Sequence, residues 1–451
     1  MSNDPSRRPG GTLWNPKPIE PATGGGWDAW VREGAGAVLS SGSTGRVGRY
    51  LPFLGPAFIA AIAYIDPGNY ATNIESGTRH GYQLLWVVLW SNLIAMFVQG
   101  LSAKLGIVTG KNLPECIRDA LPHPFLRLGY WIQAELMAIA TDLAEFLGAS
   151  LGFQLLFGIP LGIGALLTGV LSFLILGLRP RGFRYLEVLL TIFVGFIALC
   201  YAFELFWIHP SPSATLHGLL LPSLPGAEGA YLAAGIMGAT VMPHAIYLHS
   251  ALTQRRIPAR RLEEKRKLIR LSQIDVSLAM TIAGMINLAM LVMSAAAFAG
   301  SPPGGEDGIT QAYRALWPLL GKLAAAAFAL SLLASGLSSS AVGTLAGQVI
   351  MEGFVGFAIP IWVRRLVTML PAILAISLGV DMTQLLVASQ VVLSFGIAFA
   401  LIPLLLFTQS SRWMGPLRNS IWTRVAGWVI STVVIGLNVF LLARFLFHAS
   451  Q

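Results

Sequence analysis

Residues 55–73 read GPAFIAAIAYIDPGNYATN. The run is apolar enough for a membrane helix, yet Asp66-Pro67-Gly68-Asn69 interrupts it in the middle. Proline lacks a backbone N–H and drives the preceding residue out of helical conformation. Gly68 and Asn69 tolerate turn geometry. The stretch therefore predicts a helix that stops near Asp66 and restarts soon after. Residues 235–250, GIMGATVMPHAIYLHS, carry the same device. Pro243 disfavours helix at Met242 and leaves carbonyls near Ala239 and Thr240 without helical partners.

Around these two segments the chain is predominantly apolar. Of 451 residues, 55% are hydrophobic and 11% are charged, against about 25% charged in a soluble domain. That excludes an ordinary soluble enzyme, a disordered chain and a fibrous one. The apolar runs are unbroken rather than alternating, which excludes a transmembrane barrel. A spanning helix needs about 20 apolar residues. Eleven stretches qualify, near 51–74, 83–107, 127–149, 155–178, 184–207, 229–253, 272–299, 320–346, 359–379, 383–407 and 422–446. The expected class is an all-α polytopic membrane protein.

With residues 1–50 placed inside, every Lys and Arg falls on the inner side except Arg79, Arg314, Lys322 and Arg444. That asymmetry orients the chain, with the N-terminus inside and the C-terminus outside. The net charge of +9 is thereby topological and implies no nucleic-acid partner. The dense inner run from Arg255 to Arg270 reads better as topology-setting charge on a solvated helix than as an anionic-lipid contact. Residues 1–50 lack the apolar core of a signal peptide and read as a mostly disordered cytoplasmic tail. Cys116 and Cys200 are too few for a disulfide framework.

Paired interrupted helices one repeat apart point to a transporter binding site. Spans 1–5 (51–208) and spans 6–10 (229–407) form the two halves. An odd number of spans in each makes the repeat inverted, and 422–447 is an extra helix. At the breaks, Asp66 is an acid at membrane depth, a functional candidate by default. Asn69 adds an amide oxygen, Met242 a thioether sulfur, and Ala63 and Ala239 freed carbonyls. Magnesium and calcium prefer all-oxygen shells. A thioether favours transition metals, so the predicted ligand is a divalent transition-metal ion. Met242 as mere core filler is the commoner use of methionine, but its place beside a proline break tilts the reading to a ligand.

Span 3 carries a second polar set in WIQAELMAIATDLAEFLG, residues 131–148. At about 100° per residue, Glu135 and Asp142 lie about 20° apart and Glu145 about 80° away. Arg364, Arg365, His244 and His249 are the candidate partners. Such a chain of groups carries protons or holds helices together, and the two roles are compatible. Gln390 is an amide in an apolar run, able to reach the ion or bond a neighbouring helix. Asn92, Asp275 and Asn287 read as helix–helix hydrogen bonders, and ASGLSSSAVGT (334–344) as a close-packing surface. Glu115 and Asp119 read as solvated.

The Asp66-Pro67-Gly68-Asn69 and Met242-Pro243-His244 motifs resemble the two signatures of the Nramp family. So do TDLAEFLG, GATVMPHAIYLHSAL and ASGLSSSAVGT, the likeness running from about Leu51 to Phe447 and matching bacterial members of the MntH type. The resemblance implies a LeuT-like fold of eleven helices in a bacterial inner membrane, importing manganese or iron with protons and using no cofactor. It assigns Asp66, Asn69, Met242 and the Ala63 carbonyl as metal ligands. The Ala239 carbonyl and Gln390 join in some conformations. Asp142, Glu145, His244 and Arg365 match the family's proton-linked network, with Glu135, His249 and Arg364 beside them, and Asp66 itself takes a proton in this scheme. A sodium-coupled organic-solute symporter of the same architecture is the main alternative. Asp66 opposes it, since a carboxylate there repels an amino acid's own. An intramembrane metalloenzyme or a passive channel would need features the sequence does not supply.

Overall fold

In the computed structural model the described residues are 51–177, 183–299, 308–357 and 359–448, with Val31, Glu33, Ala35, Gly36, Val38 and Leu39 of the tail. Every regular element among them is helical. The first apolar stretch is split into α1 (Pro56–Ala63) and α2 (Pro67–His80). Then come α3 (Leu85–Thr109), the short α4 (Leu113–Ala120), α5 (Pro124–Phe157), α6 (Leu161–Leu176), α7 (Phe183–Ile208) and the short α8 (Pro212–Leu220). The second split segment is α9 (Gly226–Thr240) and α10 (Pro243–Thr253). The chain continues with α11 (Leu262–Phe298), α12 (Gly308–Leu320), α13 (Lys322–Val355), α14 (Ile361–Ser377), α15 (Met382–Gln409) and α16 (Ile421–His448).

Each apolar stretch of the sequence falls on one of these helices or on a split pair. Eight helical segments among the described residues are long and apolar enough to cross a bilayer, and Leu161–Leu176 is a shorter apolar helix. α14 is brief for a span, at 17 residues, and it carries Arg364 and Arg365.

Burial sorts the helices. The apolar part of the α9–α10 pair is 94% buried and that of α16 only 22%. All eight residues of α1 are buried. The two broken segments thus occupy the centre, and α16 lies at the periphery against α15. The most extensive helix pair is α5 with α13, where Gly336 of the small-residue run lies directly on Ala149.

Polar side chains pin both ends of the broken segments. Asp275 of α11 accepts the Gly55 and Ala57 amides at 3.1 and 2.9 Å, capping α1 from another helix. Next to it the buried Glu187 pairs with Arg184 at 2.9 Å and with Arg256. At the opposite end, Arg79 of α2 pairs with Glu75 and with Glu228 of α9.

The structure corrects two expectations in this region. The described tail residues are helical. Ala35 packs into a cluster with Phe53, Ile107, Ile257 and Leu268, so this part of 1–50 is docked rather than loose; the rest of 1–50 lies outside the described residues. The basic run is also more than solvated charge. Arg256 is committed to Glu187, Lys265 donates to the Val108 carbonyl at 2.8 Å, and Lys267 to that of Val38.

Candidate functional site

The two breaks share one arithmetic. In an α-helix the carbonyl of residue i accepts from the N–H of i+4. Counting four from Ala63 gives Pro67, and four from Ala239 gives Pro243. Proline has no N–H, so each break deprives one alanine carbonyl of its helical donor. The helices stop at Ala63 and at Thr240 and restart at the prolines.

Asp66 is the N-cap of α2, in extended geometry (φ −86°, ψ 166°). Its Oδ1 accepts the Asn69 backbone amide and the Asn69 side-chain amide, both at 2.8 Å. The same Asn69 Nδ2 donates to the Ala239 carbonyl at 2.9 Å, joining the two breaks across 170 residues. Thr240 Oγ1 donates to Asn69 Oδ1 at 3.4 Å. Asp66 Oδ2 has no hydrogen-bond partner. Met242 is the N-cap residue of α10, and Asp66, Asn69, Ala239 and Met242 are all fully buried.

Gln390 of α15 packs against both breaks. A Cβ at Gly68 would meet its Nε2 at 2.1 Å, and one at Gly238 its backbone carbonyl at 1.9 Å. Its Oε1 has no partner. Of the two roles left open for Gln390, the structure thus puts the side chain beside Gly68, next to the Asp66–Asn69 turn.

The other freed carbonyls of the first break are satisfied by the scaffold. Asn287 of α11 donates to the Tyr64 carbonyl at 2.8 Å, and Ser335 of α13 to that of Ile65. Sequence reasoning gave Asn287 a general interhelical role and Ser335 a packing role. Their specific task, holding the uncoiled strand open, needed the fold to be seen. The hydroxyl of Thr240, whose carbonyl alone had been singled out, and Tyr64 were also missed, although both sit inside the interrupted motifs.

The acids of α5 divide into two groups. Glu135 forms a two-pronged pair with Arg364 at 3.0 and 2.8 Å. About two turns along the helix, Asp142 stands 4.0 Å from Arg365. Arg365 also donates to the Ser340 carbonyl at 2.9 Å and to the hydroxyls of Ser340 and Thr344, and it lies 4.4 Å over the Phe146 ring. Asp142 Oδ1 and Glu145 Oε2 lack hydrogen-bond partners. Gly343 of α13 leaves room for them, since a Cβ there would meet Glu145 at 2.7 Å and Asp142 at 3.0 Å. Gly148, one turn beyond Glu145, lies so close to Pro67 that a Cβ would meet its ring at 2.0 Å. The acid helix is thus seated directly on the first break.

The two histidines part company. His244 Nδ1 is 3.1 Å from Thr141 Oγ1, so it touches the acid helix next to Asp142 but pairs with no acid. His249 is turned to α3, where its Nδ1 is 2.8 Å from Gln99 Oε1, and Gln99 Nε2 donates to the Tyr64 hydroxyl. The sequence reading placed His249 among the partners of the acids. In the structure it belongs to a separate chain that links α10 to the first break.

No three His, Cys, Asp or Glu side chains gather as a metal cage among the described residues. The candidate ligands are instead one carboxylate (Asp66), two amides (Asn69 and Gln390), one thioether (Met242) and two carbonyls (Ala63 and Ala239).

Residues 57–444 match the model of the natural resistance-associated macrophage protein-like family, Nramp. The chain belongs to the Nramp family. Among its Nramp relatives is the divalent metal cation transporter MntH of Deinococcus radiodurans. It is 55% identical over 409 residues, covering 90% of this chain and 93% of that protein. The protein of the same name from Klebsiella pneumoniae is 55% identical over 392 residues, covering 87% and 94%. Among solved structures, the Eremococcus coleocola manganese transporter superposes with a TM-score of 0.79 at 32% identity, covering 88% of each chain. Mhp1, a nucleobase-cation-symport-1 family transporter, superposes with a TM-score of 0.55 at 13% identity over 88% of this chain and 91% of its own, which is a likeness of fold alone.

Proposed function

We propose that this chain is a secondary active importer of divalent transition-metal ions, manganese or iron foremost, that moves protons with the metal by alternating access. The observation that carries the reading is the single amide of Asn69, which bonds Asp66 Oδ1 and the Ala239 carbonyl at once. It spends its two hydrogens on two of the oxygens expected to face the metal. A cation takes over those oxygens, and the amide turns to present its own oxygen. Met242 supplies the soft donor that magnesium and calcium do not seek.

The proposed architecture is a LeuT-like inverted repeat of 51–208 and 229–407 with the extra helix 422–447, eleven crossings in all, in a bacterial plasma membrane. The N-terminus is inside and the C-terminus outside. In that orientation the Asp275 and Glu187–Arg256 contacts close the inner end, and Arg79–Glu228 closes the outer end. The ligand residues are buried, so this conformation is sealed toward both sides. Import alternates by releasing one set of contacts while the other holds.

The metal brings positive charge next to Asp66 and lowers the hold of that carboxylate on a proton. Asp142 and Glu145 stand ready to receive it, seated against the first break through Gly148 and Pro67. Arg365 balances their charge. Glu135–Arg364 continues the polar line toward the inner end, and His244 flanks it through Thr141.

The test is manganese(II) uptake into proteoliposomes with a pH dye inside. Uptake competed by iron(II) or cadmium(II) but by no amino acid, with acidification of the lumen, is the expected result. Competition by an amino acid would replace the metal reading, and metal entry without acidification would remove the proton.

A further inference from the structure

Glu204 of α7 is a fully buried acid to which nothing above gives a role. Among the described residues it is the buried carboxylate with both oxygens unpartnered. It lies within the apolar run LCYAFELFWI, residues 199–208, near the end of α7. Tyr201 on the same helix meets Tyr70 of α2 at 5.6 Å with the rings tilted by 57°, and the Tyr70 ring also meets Phe328 of α13 at 6.2 Å. The hydroxyls of Tyr70 and Tyr201 face each other, with Ser331 beside Tyr70. Tyr70 stands one turn after Asp66, and its amide bonds the Asp66 carbonyl at 3.2 Å.

No cation offsets Glu204 among the described residues. The titratable groups facing it are Tyr70 from α2 and Cys200 and Tyr201 from α7 itself. α13 presents Phe328 and Ser331 there. The facing half of α11, residues 290–298, has no titratable side chain, and α1 has none. On α12, Tyr313 is half-buried and Arg314 is exposed to the outside. No Lys, Arg or His forms an ion pair with Glu204 among the described residues. An ionised carboxylate without donor or counter-charge is costly at such a place, and an ionisable residue at membrane depth is a functional candidate.

We infer that Glu204 is a second proton-binding site, separate from the α5 acids, whose protonation permits the Tyr70 side of the molecule to close over the loaded metal. A carboxylate oxygen takes a proton from hydronium of the external solution, leaving water, while this region is open and hydrated, and the neutral acid is then buried. The sign follows. Acid outside favours closure, and alkaline solution keeps Glu204 charged and the region open. The inference rests on the proton-coupled reading above.

The experiment measures manganese(II) uptake by full-length protein in proteoliposomes while external pH is varied. In Glu204→Gln the steepness of the pH response should fall at least about twofold, because a titrating group is lost. Glu204→Asp keeps an acid at a different depth and should displace the midpoint instead. A purely structural Glu204 would change the maximal rate without moving either feature. A Glu204→Gln profile that superimposes on the wild type overturns the inference. If Glu204→Gln does not reach the membrane, an unmoved midpoint in Glu204→Asp does so. A wild type whose uptake ignores pH overturns the proton-coupled reading first, and this one with it.

Discussion

The two breaks have the same cause and different support. In the first, the carbonyls of Tyr64 and Ile65 are held by Asn287 and Ser335 from the surrounding helices. In the second, the Ala239 carbonyl is held by Asn69, which belongs to the first break. The first is therefore fastened to the scaffold, and the second leans on the first. The first brings the charge and the second the sulfur. A site made this way forms only when both halves meet, which suits an ion that must be taken and then let go.

The comparison can be broken most severely at the charge. Asp66→Asn removes the anionic ligand, and manganese(II) affinity by calorimetry should fall by more than about 100-fold, since ligand charge sets such affinities. A loss of similar size in Met242→Ala would mean that the sulfur is not the minor, selective partner. The expected outcome there is about a tenfold weaker manganese(II) uptake, with calcium or magnesium competing more strongly. Unchanged selectivity would remove the thioether from the discrimination.

A third variant tests the fastening. Asn287→Ala strands the buried Tyr64 carbonyl and should lower stability by about 1–3 kcal/mol in thermal unfolding, without altering the order of metal preference. Thr240→Val, at the second break, loses one long hydrogen bond and should cost only about 0.5–1 kcal/mol. Equal losses would say that the two breaks are supported alike. The smallest effect concerns Gly68. Gly68→Ala drives a methyl into Gln390, a flexible side chain, so manganese(II) uptake should drop by about threefold; an unchanged rate would mean that Gln390 gives way freely.

Much of this was legible beforehand. Lipid leaves the backbone no alternative to helix, so hydropathy alone located every main helix, and proline located both breaks. Asp66, Asn69, Ala239 and Met242 were readable because the motif that uncoils the helix also contains the groups that line it. The partners of a polar residue in an apolar helix were not readable. Nothing in the spacing says that Asn287 faces Tyr64, that His249 turns to Gln99 rather than to Asp142, or that Ala35 joins the cluster of Phe53, Ile107 and Ile257. Those pairings depend on how helices far apart in sequence are rotated against each other. Glu204 went unnoticed for the same reason, one acid in an apolar run with no proline beside it.

The seat of Gly148 on Pro67 has a mechanical meaning. With not even a methyl's clearance between them, α2 cannot tilt at its Pro67 end without pushing the strip that bears Asp142 and Glu145. The two are geared without backlash. Motion of one is passed to the other through that bare meeting of ring and backbone, and any larger residue at 148 would jam the train.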